Sequence, residues 1–322
     1  MTTNPRMTWK GLLTAAGLMA AAGSVLGFGG AWWWFLDLFA HFRIQYFWGL
    51  LAIGVWLLAQ RKRAWAATFL ALSAVNLALI LPFYLNAPNP FNHGTAPYRA
   101  MLFNVNYGNG KHLKVLDAIR AYDPDVIVLE EIGMTWFNAV NPALAESHPY
   151  HVEELRSDNF GIGLWSKRPF AATNILHSQN AAVPSILAEI DGPCGRYAVL
   201  ATHPVPPITP FYSEYRDAQL AELALLARDT QRPLLFIGDL NATLWCAAFK
   251  RLRRDGGLLN ASQGRGLFPT WPACFPAFLR IPIDHVLHTP GIEIASRKTG
   301  PRVGSDHLPV IVDFHLQPFD KN

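Results

Sequence analysis

The amino-acid sequence predicts three transmembrane helices followed by a layered α+β domain in which β-sheets pack face to face. The first part of this prediction depends on composition, because 51% of the 322 residues are hydrophobic and only 16% are charged, below the ~25% typical of globular domains. The second part depends on many short strand-like runs, with two or three helical segments between them, in the rest of the chain. The length suggests about two domains.

Three uncharged runs predict a membrane domain at residues 1–85. They cover residues 11–30, 44–60 and 64–85, and a bilayer core of ~30 Å needs about 20 apolar residues, within a range of about 17 to 25. A cleavable signal peptide is the alternative for the first run, which has a basic start and an alanine-rich centre. A buried helix of a soluble domain is the alternative for the second and shortest run. We expect three spans.

The positive charges that flank these runs predict their orientation. Arg6 and Lys10 precede the first run and residues 61–63 form a basic triplet between the second and third, whereas the loop between the first and second runs contains only Arg43. Short loops rich in Lys and Arg stay in the cytoplasm. The sequence therefore predicts a multi-pass protein of the plasma membrane or cell inner membrane, whose C-terminal domain is extracytoplasmic.

A linker and a soluble domain are expected after the spans. Residues 86–97 contain three prolines, which indicates a linker, and the soluble domain then covers residues 98–322. The membrane domain contains six of the 27 basic residues and one of the 23 acidic residues, so the soluble domain is close to neutral. Three cysteines without metal-ligand spacing leave one disulfide possible; they are Cys194, Cys246 and Cys274.

Apolar runs with β-branched residues predict the strands of the soluble domain, and helical spacing of apolar residues predicts its helices. The predicted strands cover residues 98–105, 125–129, 161–166, 185–190, 197–202, 234–238, 283–288 and 308–315. The predicted helices cover residues 111–122 and 215–229. Another helix is expected around the basic run at residues 250–254, which we interpret as a solvated face.

Polar residues follow or end several of these strands. They are Asn104, Glu130, Glu131, His203, Asp239, Asn241, Asp284, His285, Asp306 and His307. Any one of them alone is more often a turn, a helix cap or a core residue. Asp239 and Asn241 are two residues apart, and we expect them to share one face of an extended chain. The recurrence of such polar residues at the same end of successive strands favours one shared site.

These residue types fit one kind of chemistry. Carboxylate and amide oxygens are hard ligands for Mg²⁺, histidines donate to phosphate oxygens, and an aspartate fixes the orientation of a neighbouring histidine. An aspartate beside a metal ion can deprotonate an attacking water. The set therefore indicates a metal-assisted phosphate-ester hydrolase. Zinc is less favoured, because no His/Cys cluster has ligand spacing.

Seven segments in a fixed order resemble the endonuclease/exonuclease/phosphatase superfamily, which includes the deoxyribonuclease I-like nucleases, inositol-phosphate phosphatases and bacterial sphingomyelinases. The segments are FNVN, DVIVLEE, ATHP, GDLNA, TW, IDHV and GSDHLPV, and the resemblance covers residues 98–314. It implies an α/β fold, a four-layer sandwich of two packed mixed β-sheets flanked by helices. It also implies a Mg²⁺ or Mn²⁺ cofactor.

The same resemblance implies a metal site formed by Asn104, Glu131 and Asp306. Two positions depart from the family pattern. Glu130 stands where a glutamine is common, which leaves both Glu130 and Glu131 as candidate metal ligands, with Glu131 favoured. Asn106 stands where many relatives have aspartate.

Five residues match the catalytic positions of the family. The resemblance implies that Asp239 activates the attacking water, while His203 and Asn241 hold the phosphate. It further implies that His307 contacts the scissile phosphate and that Asp284 orients His307.

Three spans followed by ATHPVPP, FPTWP and IDHV resemble a membrane-bound bacterial subgroup that contains the teicoplanin-resistance protein VanJ. This resemblance implies a polyprenyl (undecaprenyl) diphosphate or a related cell-envelope lipid as substrate. A near-neutral soluble domain makes nucleic acid less favoured, because duplex binding usually takes several Lys and Arg contacts. The alternatives are a phosphodiesterase or nuclease acting on phospholipid head groups or extracellular nucleic acid, and a catalytically inactive membrane-anchored binding protein. The oligomeric state is left open.

Overall fold

The computed structural model describes residues 8–86, 97–178 and 182–317, and the chain divides into two compact units. The first unit ends at Pro82 and includes Trp245–Ala247, and the second begins at Phe83 and holds the rest. Most of the predicted linker, residues 87–96, lies outside the described residues.

The first unit is helical. Its helices are α1 (Trp9–Leu26), α2 (Trp34–Leu38), α3 (Arg43–Ala59) and α4 (Arg63–Ile80). Three stretches are long and apolar enough to cross a membrane, namely Trp9–Leu26, Trp34–Ala59 and Arg63–Phe83. Each overlaps one of the predicted spans, and the second begins ten residues before the predicted run.

A buried polar cluster joins the three long helices of this unit. Arg43 Nη1 donates to the carbonyl oxygen of Ser24 at 2.7 Å and to Asn76 Oδ1 at 3.3 Å. Asn76 Nδ2 donates to Ser24 Oγ at 2.6 Å. Apolar surroundings provide no hydrophobic force between helices in a bilayer, so hydrogen bonds of this kind help to hold such helices together.

The second unit contains twelve described strands and four helices. The strands are β1 (Tyr98–Asn104), β2 (Val126–Glu130), β3 (Tyr150–Glu154), β4 (Ile162–Ser166), β5 (Phe170–His177), β6 (Pro184–Gly192), β7 (Gly195–Thr202), β8 (Leu234–Asp239), β9 (Leu259–Asn260), β10 (Asp284–His288), β11 (Ile292–Thr299) and β12 (Val310–Leu316). The helices are α5 (His112–Tyr122), α6 (Met134–Ser147), α7 (Pro210–Asp229) and α8 (Ala247–Asp255).

The strands form two six-stranded sheets. The first has the order β11-β12-β1-β2-β4-β3 and the second the order β5-β6-β7-β8-β10-β9. Each sheet has one parallel pair, β1 with β2 and β7 with β8, among antiparallel neighbours. The predicted pair of packed mixed sheets flanked by helices is confirmed.

The central strands are buried on both faces, which explains why they are continuously apolar in sequence. In β2, Val126 and Val128 belong to the core between the sheets, whereas Ile127 and Leu129 pack with α5 and α6. On the second sheet, Gln219 of α7 donates to hydroxyl oxygens of β6 and β7. The layers are therefore helices, sheet, sheet and helix.

Sequence patterns did not predict α6 or the strands β3, β5, β9 and β11. Strands β3 and β5 lie at sheet edges and have exposed or half-buried residues throughout, so their sequences lack a continuous apolar run. Helix α6 contains an internal proline, Pro142, which normally argues against a helix. Helix α7 begins five residues earlier than predicted, because Thr209 caps it and Pro210 occupies its first turn, a position that proline tolerates well.

One ion pair links β1 to β12 within the first sheet. Arg99 lies opposite Asp313 in the strand register, and Arg99 Nε donates to Asp313 Oδ1 at 2.6 Å. Ser296 Oγ donates to Asp313 Oδ2 at 2.7 Å. Burial alone would raise the pKa of Asp313, but the hydrogen bonds from Arg99 and Ser296 outweigh it and lower the pKa.

Asp313→Asn should therefore lower the free energy of unfolding at pH 7 by about 1–2 kcal/mol, because a charge-assisted hydrogen bond is lost. The folded-state pKa is depressed, so this stabilisation is present above the unfolded value of about 4 and disappears as the pH falls through the folded value. Thermal unfolding of the detergent-purified protein from pH 7 to pH 3 measures it. Asp117→Asn, at a highly exposed pair with Arg120, is the control and should change stability by less than about 0.5 kcal/mol. An Asp313→Asn deficit that did not shrink on acidification would contradict the assignment.

Candidate active site

Strand register brings the ends of both sheets to one place. Asn104 at the end of β1 pairs with Glu130 at the end of β2, and Asp239 at the end of β8 lies opposite Asp284 at the start of β10. Asn104 Nδ2 donates to Asp239 Oδ2 at 3.2 Å, which connects the first sheet to the second. All these residues are buried.

Three site residues have left-handed backbone conformations, although none is glycine. Asn106, Glu131 and Asn241 have φ values of 61°, 60° and 47°. Such conformations cost of order 1–3 kcal/mol each and concentrate at functional sites. Each residue lies one or two positions beyond a strand end, so the chain turns there.

The prediction that Asp239 and Asn241 share one face of an extended strand is wrong. Strand β8 ends at Asp239, and the left-handed turn at Asn241 breaks the extended geometry. The two residues are nevertheless in contact, since the Asn241 backbone N–H donates to Asp239 Oδ1 at 3.0 Å. Asn241 Nδ2 donates to the carbonyl oxygen of Pro204 at 2.9 Å, which joins the two loops after β7 and β8.

Glu131, Asn104 and His203 form one side of the site. Asn104 Nδ2 donates to Glu131 Oε1 at 2.9 Å, and Glu131 Oε2 accepts the backbone N–H of Tyr107 at 3.1 Å. His203 Nδ1 donates to the carbonyl oxygen of Asp239 at 3.2 Å. This bond leaves His203 Nε2 facing Glu131 Oε1 at 3.8 Å.

Glu130 points to a different place from its neighbour. Its carboxyl oxygens accept the backbone N–H of Asp239 at 3.1 and 3.2 Å, and the side chain is fully buried. Burial, together with the nearby charges of Asp239 and Asp284, raises the pKa of Glu130 well above its usual value. Burial therefore favours the protonated form of Glu130, which is close in shape to the glutamine that is common there.

A buried charge trio lies at the centre of the site. His307 Nδ1 is 3.0 Å from Asp284 Oδ2, and His307 Nε2 is 3.6 Å from Asp239 Oδ2. Burial opposes the charge on His307, but Asp284 and Asp239 outweigh it and raise the pKa of His307 to about 10. Burial raises the pKa of Asp239 to about 6. His307 is therefore an imidazolium ion between two carboxylates.

Asp306 is held at the rim by two donors. Its Oδ1 accepts Asn106 Nδ2 at 2.8 Å and its Oδ2 accepts Trp271 Nε1 at 3.0 Å. Burial would raise the pKa of Asp306, but the bonds from Asn106 and Trp271 and the charge of His307 lower it. Asp306 is therefore a carboxylate.

Three supporting residues were not assigned from the sequence. Ser305 Oγ donates to the carbonyl oxygen of Asn104 at 2.7 Å and accepts the backbone N–H of His307 at 2.9 Å. Arg297 Nη2 donates to the carbonyl oxygen of Asp284 at 2.8 Å. Trp271 belongs to the TW segment and Ser305 to the GSDHLPV segment, whereas Arg297 lies in none of the segments that resemble the family.

His285 does not belong to the charge trio. Its Nε2 donates to the carbonyl oxygen of Ala242 at 2.7 Å, and its ring packs on Phe249 with centroids 4.5 Å apart. Burial lowers the pKa of His285 to about 3. It is a neutral core histidine.

The donors present fit a divalent cation. Asp239, Asp284 and His307 offer ligand atoms that lie within 4.8 Å of one another and could hold a metal ion. A protonated imidazole has no lone pair for a metal, however, so the oxygen-rich side of the site around Glu131 suits a hard cation better. Besides Glu130, four acidic side chains surround a single imidazolium ion, namely Glu131, Asp239, Asp284 and Asp306. This excess of negative charge favours a bound cation.

Comparison with known proteins agrees with this geometry. A model of the Endonuclease/Exonuclease/phosphatase family matches residues 101–307. No curated protein matches the chain.

Solved structures share the fold of the second unit. An endonuclease/exonuclease/phosphatase protein from Beutenbergia cavernae is 20% identical, with a TM-score of 0.57 over 69% of this chain and 72% of that one. A 3′ phosphatase from Neisseria bound to product DNA hairpin is 18% identical, with a TM-score of 0.57 over 68% and 99%. Sphingomyelinase C from Streptomyces griseocarneus is 17% identical, with a TM-score of 0.51 over 68% and 99%. At these identities the likeness concerns the fold alone.

Asn106→Asp should make folding more dependent on a divalent cation. The change replaces the donor to Asp306 with a second carboxylate at about the same place, so repulsion should cost about 1–3 kcal/mol in EDTA. The added oxygen ligand should enlarge the gain in melting temperature on adding Mg²⁺. Thermal unfolding in EDTA and in Mg²⁺ measures both effects. Asn138→Asp, which adds the same charge at an exposed position of α6, is the control. Equal Mg²⁺ responses in the two variants and the parent would contradict a cation beside Asp306.

Proposed function

The chain belongs to the endonuclease/exonuclease/phosphatase family, and on this premise we propose that it is a membrane-anchored, divalent-metal-dependent phosphoesterase. Members of this family are generally phosphodiesterases, phosphatases or nucleases. The observation that carries the proposal is the buried charge trio of Asp239, His307 and Asp284. Burying three charges is costly, and a purely structural role would be served as well by apolar residues. Binding of a negatively charged substrate would explain why the site contains a buried imidazolium ion.

The proposed roles follow from what each atom faces. His307, held by Asp284, donates from Nε2 to a phosphate oxygen and stabilises the charge that develops in the transition state. Asp239 accepts the proton of the attacking water. Its backbone is fixed by Glu130 and its carboxylate by Asn104 and Asn241.

His203 and Asn241 hold the other phosphate oxygens in this proposal. Asn104, Glu131 and Asp306 are the proposed metal ligands, and a Mg²⁺ or Mn²⁺ ion there would supply Lewis-acid stabilisation of the phosphate charge. Glu131 is preferred over Glu130 as a ligand, because Glu130 is fully buried and both of its carboxyl oxygens already accept the Asp239 backbone N–H.

The proposed substrate is a phosphorylated lipid, with a polyprenyl diphosphate such as undecaprenyl diphosphate as the specific candidate, or a small phosphate ester. The three candidate spans support it, because they would keep the catalytic unit at a membrane. The near-neutral charge of the soluble domain supports it as well. The second candidate is a nuclease, favoured by a neighbour of the same fold that is bound to product DNA.

Asp239→Ala should abolish hydrolysis, with a loss of at least about 10³-fold in kcat, because general-base catalysis and the partner of His307 are removed together. Purified full-length protein with Mg²⁺ would be offered undecaprenyl diphosphate in detergent micelles and plasmid DNA in parallel. Asp117→Ala is the matched surface control and should keep full activity. Phosphate release from the lipid alone supports the proposed substrate, and DNA nicking alone supports the nuclease. Equal turnover by Asp239→Ala and the parent would rule out the assigned base.

The catalytic unit is proposed to lie outside the cytoplasm, as the basic residues between the second and third spans indicate. A periplasmic-type alkaline phosphatase fused after residue 322 should therefore be active in cells, and a green fluorescent protein fused there should be dark. Changing Arg61, Lys62 and Arg63 to Gln should weaken this asymmetry, because it removes most of the charge bias. A fluorescent C-terminal fusion with inactive phosphatase would reverse the proposed orientation.

A further inference from the structure

Two exposed, uncharged runs follow residues of the candidate active site in the second unit. Residues 208–212 (ITPFY) begin five positions after His203, and residues 274–279 (CFPAFL) begin three positions after Trp271, which bonds Asp306. Every residue in both runs is exposed. Consecutive exposed apolar residues are disfavoured in soluble domains unless they contact something.

The topology places both runs at the same edge of the second sheet. Strand β7 ends just before His203 and runs parallel to β8, while β10 is antiparallel to β8 and begins at Asp284 opposite Asp239. Residues 208–212 follow the end of β7, and residues 274–279 precede the start of β10. Both therefore lie at the edge that carries the charge trio.

The second run is a constrained loop. Trp271 and Ile281 pair across its base. Arg280 Nε donates to the carbonyl oxygen of Phe275 at 2.7 Å, and Arg280 Nη2 donates to that of Ala273 at 3.2 Å. The exposed fractions of Phe275, Phe278 and Leu279 are 49%, 54% and 44%. The backbone of this loop is held by internal hydrogen bonds, and its large apolar side chains are about half exposed.

We propose that these two runs form a membrane-contacting surface that seats the catalytic edge of the domain on the apolar part of a lipid bilayer. The inference rests on the proposed function, in that the substrate is a phosphorylated lipid and the first unit spans the membrane. Aromatic and aliphatic side chains without charges are what an interfacial segment inserts below the head groups. The three candidate spans would tether the second unit to a bilayer through the chain itself. A lipid surface is therefore the partner that the chain itself provides.

The two exposed cysteines allow a direct test. Cys274 begins the second run, whereas Cys194 lies in the turn between β6 and β7, at the opposite end of β7 from His203. Cys246 is buried. Two full-length proteins would be prepared, Cys194→Ser and Cys274→Ser, each labelled on its remaining exposed cysteine with the fluorophore NBD. Both would be reconstituted in phosphatidylcholine/phosphatidylglycerol vesicles with and without nitroxide-labelled acyl chains.

We expect the label on Cys274 to be quenched at least about twofold by the nitroxide lipids, as for a group at the acyl boundary, and the label on Cys194 to remain unquenched. Adding Phe275→Ser and Phe278→Ser to the Cys194→Ser protein should remove most of the quenching, which excludes insertion driven by the dye alone. Equal quenching at both cysteines, or none at Cys274, would overturn the proposal. Quenching of the Cys274 label that depends on the amount of protein per vesicle, and not on the nitroxide content, would assign the surface to contact with a second copy of the chain. That result would also overturn the proposal.

The readout contains no turnover, so it separates this inference from the proposed function. Quenching at Cys274 in a protein that hydrolyses no phosphate ester would leave the surface standing and remove the catalytic proposal. Metal-dependent hydrolysis of a lipid phosphate without quenching would support the catalytic proposal and overturn the membrane-contacting surface. The Phe275→Ser, Phe278→Ser protein should also keep its rate on a short soluble ester such as p-nitrophenyl phosphate and lose about tenfold in kcat/KM on micellar lipid phosphate.

Discussion

The site depends on one buried group of charges, the imidazolium of His307 between the carboxylates of Asp284 and Asp239. Removing His307 would leave two buried carboxylates without a counter-charge, which costs far more than an ion pair gains. The trio also joins separate parts of the fold, since Asp239 and Asp284 face each other across β8 and β10, while His307 lies just before β12 of the other sheet. The same interaction therefore holds the two sheets together at the edge where the chemistry is proposed.

The surrounding residues limit how much more charge this edge contains. Burial raises the pKa of Glu130, which favours its uncharged form, and the Glu130 carboxyl group accepts the backbone N–H of Asp239. Asn106 likewise donates to Asp306 where an aspartate would repel it. These two departures from the family pattern differ in their effect on the metal site. Glu130 reproduces a glutamine once it is protonated, whereas Asn106 removes a carboxylate and leaves the cation fewer ligands.

Much of the fold was predictable because its elements are apolar at a clear period. The central strands were found since they are buried on both faces, and Asn104, His203 and Asp239 were found because they end such strands. Strands β3 and β5 were missed because edge strands lack that pattern, and the left-handed turns at Glu131 and Asn241 were missed because neither residue is glycine. Tertiary contacts alone reveal that Ser305 bridges Asn104 and His307, and that His285 belongs to the core.

The use of basic side chains bears on the choice between a lipid phosphate and a polyanion. Many of them pair with acidic residues inside the second unit, in the pairs Arg99–Asp313, Arg156–Asp158, Lys167–Asp123, Arg196–Asp191, Arg251–Asp217 and Arg254–Asp255. A duplex needs a stripe of cations that follows its backbone, and cations paired with carboxylates give little net field. A single phosphate group needs only the charge at the site, where His307 and a divalent cation would supply it. If the rest of the substrate is an acyl or polyprenyl chain, the uncharged runs beside the site are suited to contact that chain, while the charged groups bind the phosphate.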